Sequence, residues 1–183
     1  DAALEAIAPP AIFGLFHVGA IHVLGAALER LRAPMLALRQ GDLYTPRPPH
    51  EIATTQGTEQ QRAAAFHRAL RHLQRGGFVA IALDIVPASQ IDVRCFGRPF
   101  TLARGAFALS RITGAPVIPL AGRWTRDCVD VVAGDPLPRS HSEQELADAA
   151  AAWLERYLLD APAELTLGLL RRLLELSSSR KAE

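Results

Sequence analysis

The chain has 183 residues, of which 49% are hydrophobic and 21% charged, and its formal net charge is +1. This composition excludes an intrinsically disordered protein and predicts a single folded domain. The balanced charge provides no general attraction to nucleic acid, and no apolar run reaches the length of about eighteen residues that a membrane-spanning helix needs. Cys95 and Cys128 have no CxxC spacing, which favours a reducing compartment over a disulfide framework.

The first half of the chain predicts two buried strands and two helices. The apolar run IFGLFH at 12–17 is typical of a buried strand, residues 19–32 have helical spacing, and residues 34–38 indicate a second strand. Residues 41–57 contain three prolines and predict a loop. The clearest helix follows, with Thr58 as N-cap, Gln61 completing a capping box and Gly76-Gly77 ending it.

The second half continues the alternation of strands and helices. Residues 78–84 predict a buried parallel strand that ends in Asp84. The later predictions are a half-exposed strand at 91–97, a helix at 103–114, a buried strand at 115–122, an antiparallel edge strand at 127–134, and helices at 142–160 and 162–175. The order predicts an α/β sandwich with a mainly parallel central sheet flanked by helices. We expect one domain over 1–183, with its core at 11–174 and a polar tail at 175–183.

Two histidines stand close together in the segment FGLFHVGAIHVLG at 13–25, where His17 and His22 are five positions apart. On one regular helix they would differ by about 140° and would share no face, and there is no obvious third ligand, so the spacing predicts no zinc site. If His17 precedes the helix and His22 lies in its first turns, the two side chains can meet across the start of the helix, as a general base and its partner. The alternative is two half-buried histidines bonded to local carbonyls.

These histidines lie in a segment, FHVGAIH, that is similar to the first motif of glycerolipid-type acyltransferases. The stretch GGFVAIALDIVPASQIDVRCFGRPFTLARGAFALSRITGAPVIPL resembles the lipid A late acyltransferase branch of that superfamily, through Asp84 at a strand end, the phenylalanine-glycine of CFGRPF, and Pro119. The segment DAPAELTLGLLRRL resembles the family's closing segment. The resemblance covers about residues 11–174 and is strongest over 76–120.

The resemblance implies a glycerolipid acyltransferase-like fold and a transferase activity. Such an enzyme moves a fatty acyl group from an acyl carrier protein or coenzyme A thioester to a hydroxyl of a lipid or glycolipid. It implies no further cofactor and no metal, and it makes the thioester donor, the carrier protein, the lipid acceptor and a membrane surface the expected partners. The expected location is the cytoplasmic face of a bacterial inner membrane, as a peripheral protein, or the cytoplasm.

Position by position, the resemblance makes His17 the general base that deprotonates the acceptor hydroxyl, and His22 occupies the position where the family has Asp or Glu. A neutral His22 can accept a hydrogen bond from His17 but supplies no negative charge. Asp42, Glu51 and Asp84 are the carboxylates that could replace the missing acid. Two alternatives to the transferase remain: a catalytically degenerate protein that binds acyl chains or carrier protein, and a thioester hydrolase in which His17 activates water.

The resemblance also implies substrate-binding residues. Arg39 follows the predicted strand at 34–38, and Arg98 follows Gly97 in FGRPF; basic groups near these places meet phosphate or other charged parts of donor and acceptor. Asp84 would orient an arginine or line the pocket floor. Surface ion pairs are the alternative for both arginines.

Two further features have open interpretations. Cys95 is a conceivable nucleophile, but no histidine is predicted beside it. The apolar residues of 162–174 lie beside Arg171 and Arg172, and they fit either a membrane-surface helix or a core helix with two solvated arginines.

Overall fold

The computed structural model describes residues 2–28, 30–39, 50–55, 57–85, 89–139 and 142–178. The strands within these ranges are β1 Ala11–Gly19, β2 Met35–Arg39, β3 Glu51–Thr54, β4 Phe78–Ala82, β5 Gln90–Cys95, β6 Arg98–Ala103, β7 Val117–Trp124 and β8 Val129–Ala133. The helices are α1 Ala2–Glu5, α2 Ile21–Leu28, α3 Glu59–Gln74, α4 Gly105–Thr113, α5 Glu143–Asp160, a 3-10 turn at Pro162–Glu164, and α6 Leu167–Ser178.

Six of the strands form one sheet in the order β3-β2-β4-β1-β7-β8. The first five are mutually parallel, and β8 pairs antiparallel with β7 at the edge. The predicted mainly parallel sheet flanked by helices is therefore confirmed, as is the antiparallel edge strand. Because parallel strands end at the same edge, the carboxyl ends of β1, β2 and β4 lie together.

Both faces of the sheet are buried, which explains why its strands are continuous apolar runs. Alternate residues of β1 point to opposite sides, so that Phe16 packs in one apolar cluster and Phe13 in the other. The Phe16 cluster also takes in residues of α3, α4, α5 and α6, and the Phe13 cluster takes in residues of α1 and α2. Phe16 stacks on Trp153 of α5 at 5.8 Å between ring centroids, which anchors β1 one residue before His17.

The predicted helix ends are confirmed where local chemistry sets them. Thr58 and Gln61 form the reciprocal capping box of α3. Gly114 ends α4 in the left-handed conformation, with φ at 73°, and the side chain of Ser142 caps α5.

The structure differs from the sequence-based prediction where pairing between distant segments determines the secondary structure. Residues 51–54, predicted as part of a loop, form β3 because they pair in register with β2; residues 40–49 and 56 lie outside the described residues. The strand β6 was not predicted, and it pairs with β5 as a separate two-stranded ribbon. The predicted helix at 19–32 is shorter, at 21–28, and the predicted last helix begins as the 3-10 turn.

Among the described residues, no helix combines the length and the apolar character needed to cross a lipid bilayer.

Candidate active site

His17 lies in an irregular part of β1. Against β7, Leu15 pairs with Leu120, yet the next pair is Gly19 with Gly122, so β1 has two more residues than its partner in this interval. Such a bulge redirects side chains at the end of a strand. Within the bulge, Phe16 and Val18 on either side of His17 are buried, while the side chain of His17 remains 47% exposed.

Gly19 closes the bulge in a conformation that favours glycine. Its φ is +53°, and a Cβ at this position would overlap the carbonyl oxygen of Gly122 and the carboxylate of Glu164. The N–H of Ala20 then donates to the same Gly122 carbonyl at 3.0 Å, and α2 begins. The close approach therefore fixes the end of the strand that carries His17.

Asp84 reaches His17 from the neighbouring strand. Leu15 of β1 pairs with Ala82 of β4, and the N–H of Leu83 donates to the Leu15 carbonyl at 2.8 Å. Continuing this parallel register by two residues sets His17 opposite Asp84. In a regular parallel ladder the His17 N–H would donate to the Leu83 carbonyl, but that carbonyl accepts from the Ala103 N–H. The His17 backbone N–H donates instead to Asp84 Oδ2, at 2.8 Å.

The second oxygen of the same carboxylate binds the imidazole. The distance from His17 Nδ1 to Asp84 Oδ1 is 2.7 Å, and the Asp84 side chain is only 2% exposed. A carboxylate only accepts hydrogen bonds, so the shared proton is on Nδ1 and, in the neutral ring, Nε2 is the nitrogen with the free lone pair. This Asp-His pair has the arrangement of a general base with its orienting acid.

The backbone of His17 is held from the other side by the C-terminal part of the chain. The Thr166 hydroxyl donates to the His17 carbonyl at 2.7 Å and accepts from the Leu169 N–H, so it also caps α6. Both backbone groups of His17 are thus bonded to side chains from distant segments, which restricts movement of the ring.

The charges around His17 act in opposite directions. The hydrogen bond and negative charge of Asp84 raise the pKa of His17, while burial and the positive charge of Arg172 lower it; the net direction is upward. Burial lowers the pKa of Arg172, and the charge of Asp84 opposes that change. The three groups therefore form one electrostatic unit.

The structure does not bring His22 to His17. His22 is the second residue of α2 and is exposed, and within the described residues it makes no hydrogen bond with the His17 ring. The expected contact across the start of the helix is replaced by the Asp84 contact because His17 is still in the strand, at the bulge. Among the three candidate carboxylates, Glu51 instead forms an ion pair with Arg68, and Asp42 lies outside the described residues.

The predicted substrate-binding residues are dispersed. Arg39 ends β2 at the same sheet edge as His17, and its side chain lies outside the described part of the chain. Gly97 and Arg98 lie in and after the turn of the ribbon, where Phe96 N–H donates to Glu155 of α5. At the other end of β6, the Ala103 N–H donates to the Leu83 carbonyl beside the site. Arg98 is five strand residues away from Ala103, which corresponds to about 16 Å. The described contacts therefore link Asp84, but not Gly97 or Arg98, to His17.

Cys95 is unsuited to nucleophilic chemistry. Its thiol is fully buried, and burial together with the charge of Glu155 raises its pKa to about 12, so the thiolate is absent at neutral pH. Within the described residues, no serine, threonine or cysteine side chain bonds to the His17 ring.

Sequence reasoning missed two contributors, Thr166 and Arg172. Arg172 was interpreted as part of either a membrane-surface helix or a core helix with solvated arginines, but it is half-buried: its Nη2 donates to the Thr101 carbonyl at 3.0 Å and its guanidinium lies 4.8 Å from the centroid of Phe100. The sequence did contain a signal for Thr166, because it directly precedes the leucines of a helix and threonine favours the N-cap position.

Two cavities formed by described residues do not include His17. One is apolar and is lined by Ile7, Ile118 and Gly134, and the other is polar and is lined by Arg104 and Glu143. Residues 40–49 and 86–88 lie outside the described residues.

The arrangement can therefore accept a proton at Nε2 of a half-exposed imidazole while a buried carboxylate stabilises the imidazolium. No protein-family model matches this sequence, and no curated protein matches it either.

Proposed function

We propose that the protein is an acyltransferase that moves a fatty acyl group from an acyl-carrier-protein or coenzyme A thioester to a hydroxyl of a lipid or glycolipid. The observation that carries the proposal is the 2.7 Å contact between His17 Nδ1 and the buried Asp84. The family that the sequence resembles needs a histidine base supported by a carboxylate, and Asp84 supplies the carboxylate that the His22 position lacks.

The pair would work by general-base catalysis. His17 Nε2 accepts the proton of the acceptor hydroxyl as the oxygen attacks the thioester carbonyl, because an alcohol is a poor nucleophile at neutral pH. The tetrahedral intermediate collapses with cleavage of the C–S bond, and the imidazolium returns the proton to the leaving thiolate. Asp84 keeps the proton on Nδ1 and stabilises the imidazolium between the two transfers.

Attack by the acceptor itself is favoured over a covalent acyl-enzyme. A nucleophile on the protein would need a hydroxyl or thiol at the His17 ring, and the described residues provide none. Cys95, the conceivable candidate, is buried as the neutral thiol.

We further propose that the protein works at a membrane surface. The site lies beside the start of α6, through Thr166, and this helix exposes Leu167 and Leu170 on its outer face, 62% and 37% exposed. Arg171 is exposed next to them. Apolar side chains beside a cation suit the boundary of an anionic bilayer, where a lipid acceptor would be found.

The test is transfer of a radiolabelled long-chain acyl group, supplied on coenzyme A or on acyl carrier protein, with and without a glycolipid acceptor. We expect labelled lipid with the wild-type chain and with His67→Ala, which removes an exposed histidine of α3, and none with His17→Ala. Release of free fatty acid, equal with and without acceptor and dependent on His17, would instead identify a thioester hydrolase. Tight thioester binding without turnover would identify a degenerate protein retained for binding.

A further inference from the structure

Arg172 is a second fixed charge beside the His17–Asp84 pair. Its Nη2 donates to both the carbonyl and the hydroxyl of Thr101, at 3.0 and 3.3 Å, and its guanidinium lies over the Phe100 ring. These contacts come from β6, the strand whose last residue, Ala103, bonds to Leu83 next to Asp84. The guanidinium is therefore held by the ribbon at a fixed position near the site.

Within the described side chains, no carboxylate forms an ion pair with Arg172. Its buried Nη1 has no hydrogen-bond partner among the described residues. Arg104 and Arg111 differ in this respect, because both pair with Glu143 on the surface. A desolvated, unpaired guanidinium exerts its field over a longer range than a solvated one.

Arg172 and Asp84 are coupled, because the charge of Asp84 raises the pKa of Arg172. Among the other described charged groups around β1, Arg123 of β7 lies over the Tyr157 ring. Glu164 accepts from the Trp124 N–H through Oε1, while its buried Oε2 faces Gly19 without a hydrogen-bond partner in the described part of the chain. Arg111 of α4 is paired with Glu143, and His22 of α2 and Arg171 of α6 are exposed. Among the described residues, the charge of Asp84 raises the pKa of His17 and the charge of Arg172 lowers it.

We propose that Arg172 is a positioning residue of this site: its half-buried guanidinium, held by Thr101 and Phe100 on the strand that ends beside Leu83, keeps His17 Nε2 available as a base near neutral pH. Asp84 alone would hold the proton on the ring more strongly, and a base that is protonated at the working pH accepts nothing. Arginine suits this role since it stays charged when buried, whereas a lysine readily loses its proton there. The effect of Arg172 on the reaction rate rests on the proposed function, but its electrostatic effect on His17 does not.

The decisive test is the titration of His17 followed by NMR in the full chain, with the signal assigned through His17→Ala. Arg172→Gln removes the charge and keeps a donor for Thr101, and Arg172→Met removes both. We expect either variant to raise the His17 midpoint by roughly 0.5–1 pH unit. Arg171→Met, a matched loss of charge from the adjacent exposed position, should leave the midpoint unchanged.

An unchanged or lowered midpoint in a folded Arg172→Gln chain would overturn the inference, and so would an equal rise in Arg171→Met. Where acyl transfer is measurable, the acid limb of kcat/KM in Arg172→Gln should move up by the same interval while the rate at high pH is retained. A chain without transferase activity that still shows the titration shift would contradict the proposed function and leave the coupling intact.

Discussion

Asp84 binds His17 twice, through Oδ2 to the backbone N–H at 2.8 Å and through Oδ1 to the ring Nδ1 at 2.7 Å. One carboxylate thus sets both the position of the residue in the strand and the orientation of its ring. The two contacts can be separated by mutation. An amide can still accept the backbone N–H, but it supplies no negative charge to the ring.

We expect Asp84→Asn to retain the fold and to reduce kcat by about 10²–10⁴-fold, because a neutral partner neither fixes the tautomer nor stabilises the imidazolium. KM should change little, since Asp84 is buried beneath the ring. Steady-state transfer kinetics measure the effect. Asp92→Asn, in the exposed face of β5, is the matched control; equal losses in both variants would show that the effect is not specific to the pair.

The raised pKa of His17 predicts a pH-dependent contribution to stability. Folding favours the protonated ring, so the contribution is fully present below the unfolded value of about 6.5 and is lost as the pH rises through the higher folded value. Urea denaturation between pH 5.5 and 9 should show a larger loss of stability with rising pH for the wild type than for His17→Gln. Parallel curves for the two chains would contradict this prediction.

His22 should be dispensable if Asp84 is the orienting acid. We expect His22→Ala to change transfer activity by less than about twofold and the free energy of unfolding by less than about 0.5 kcal/mol, as for other exposed positions. A loss comparable to that of His17→Ala would assign His22 a direct part in catalysis. The comparison uses the same kinetic assay and chemical denaturation of both variants.

Gly19 should tolerate no side chain. Gly19→Ala combines a left-handed backbone with overlap of the Gly122 carbonyl, so we expect a loss of about 2–4 kcal/mol of unfolding free energy. Gly76→Ala has a similar positive φ but open space around it, and it should cost only about 1–2 kcal/mol. Equal losses by chemical denaturation would mean that the close approach at Gly19 is relieved by movement of the strands.

The outer face of α6 should determine binding to lipid. Leu167→Glu combined with Leu170→Glu places charge on two exposed apolar positions, and we expect sedimentation with anionic vesicles to weaken roughly tenfold or more. Leu159→Glu changes an equally exposed leucine of α5 and should have little effect. Loss of binding in both variants would point to general charge repulsion, and no binding by the wild type would remove the membrane from the proposal.

The features that were correctly predicted from the sequence are those with local causes. The apolar runs that became β1, β4 and β7 and the capping residues Thr58 and Ser142 act within a few positions of the chain. The ribbon strand β6 and the short strand β3 were missed because their identity depends on partners that the local pattern does not specify.

The site was predicted in part for the same reason. His17 was predicted as a base and Asp84 as one of three candidate acids. The choice among the acids depends on the register of β1 against β4, which brings together residues 67 positions apart. The spacing of His17 and His22 suggested a contact that the bulge in β1 prevents. The bulge results from pairing with β7, so the sequence of residues 13–25 alone does not reveal it. Arg172 looked solvated because its cover, Phe100 and Thr101, comes from the unpredicted strand.

The bond from Thr166 to the His17 carbonyl joins residues 149 positions apart. A nascent or proteolysed chain that ends before Thr166 would contain both His17 and Asp84 and still lack the group that closes the strand end around the base. Under the proposed function, catalytic competence would require that α6 has docked on the ribbon. Transferase activity would then report on whether β1 and α6 are both in place, and a folding intermediate without α6 would be inactive.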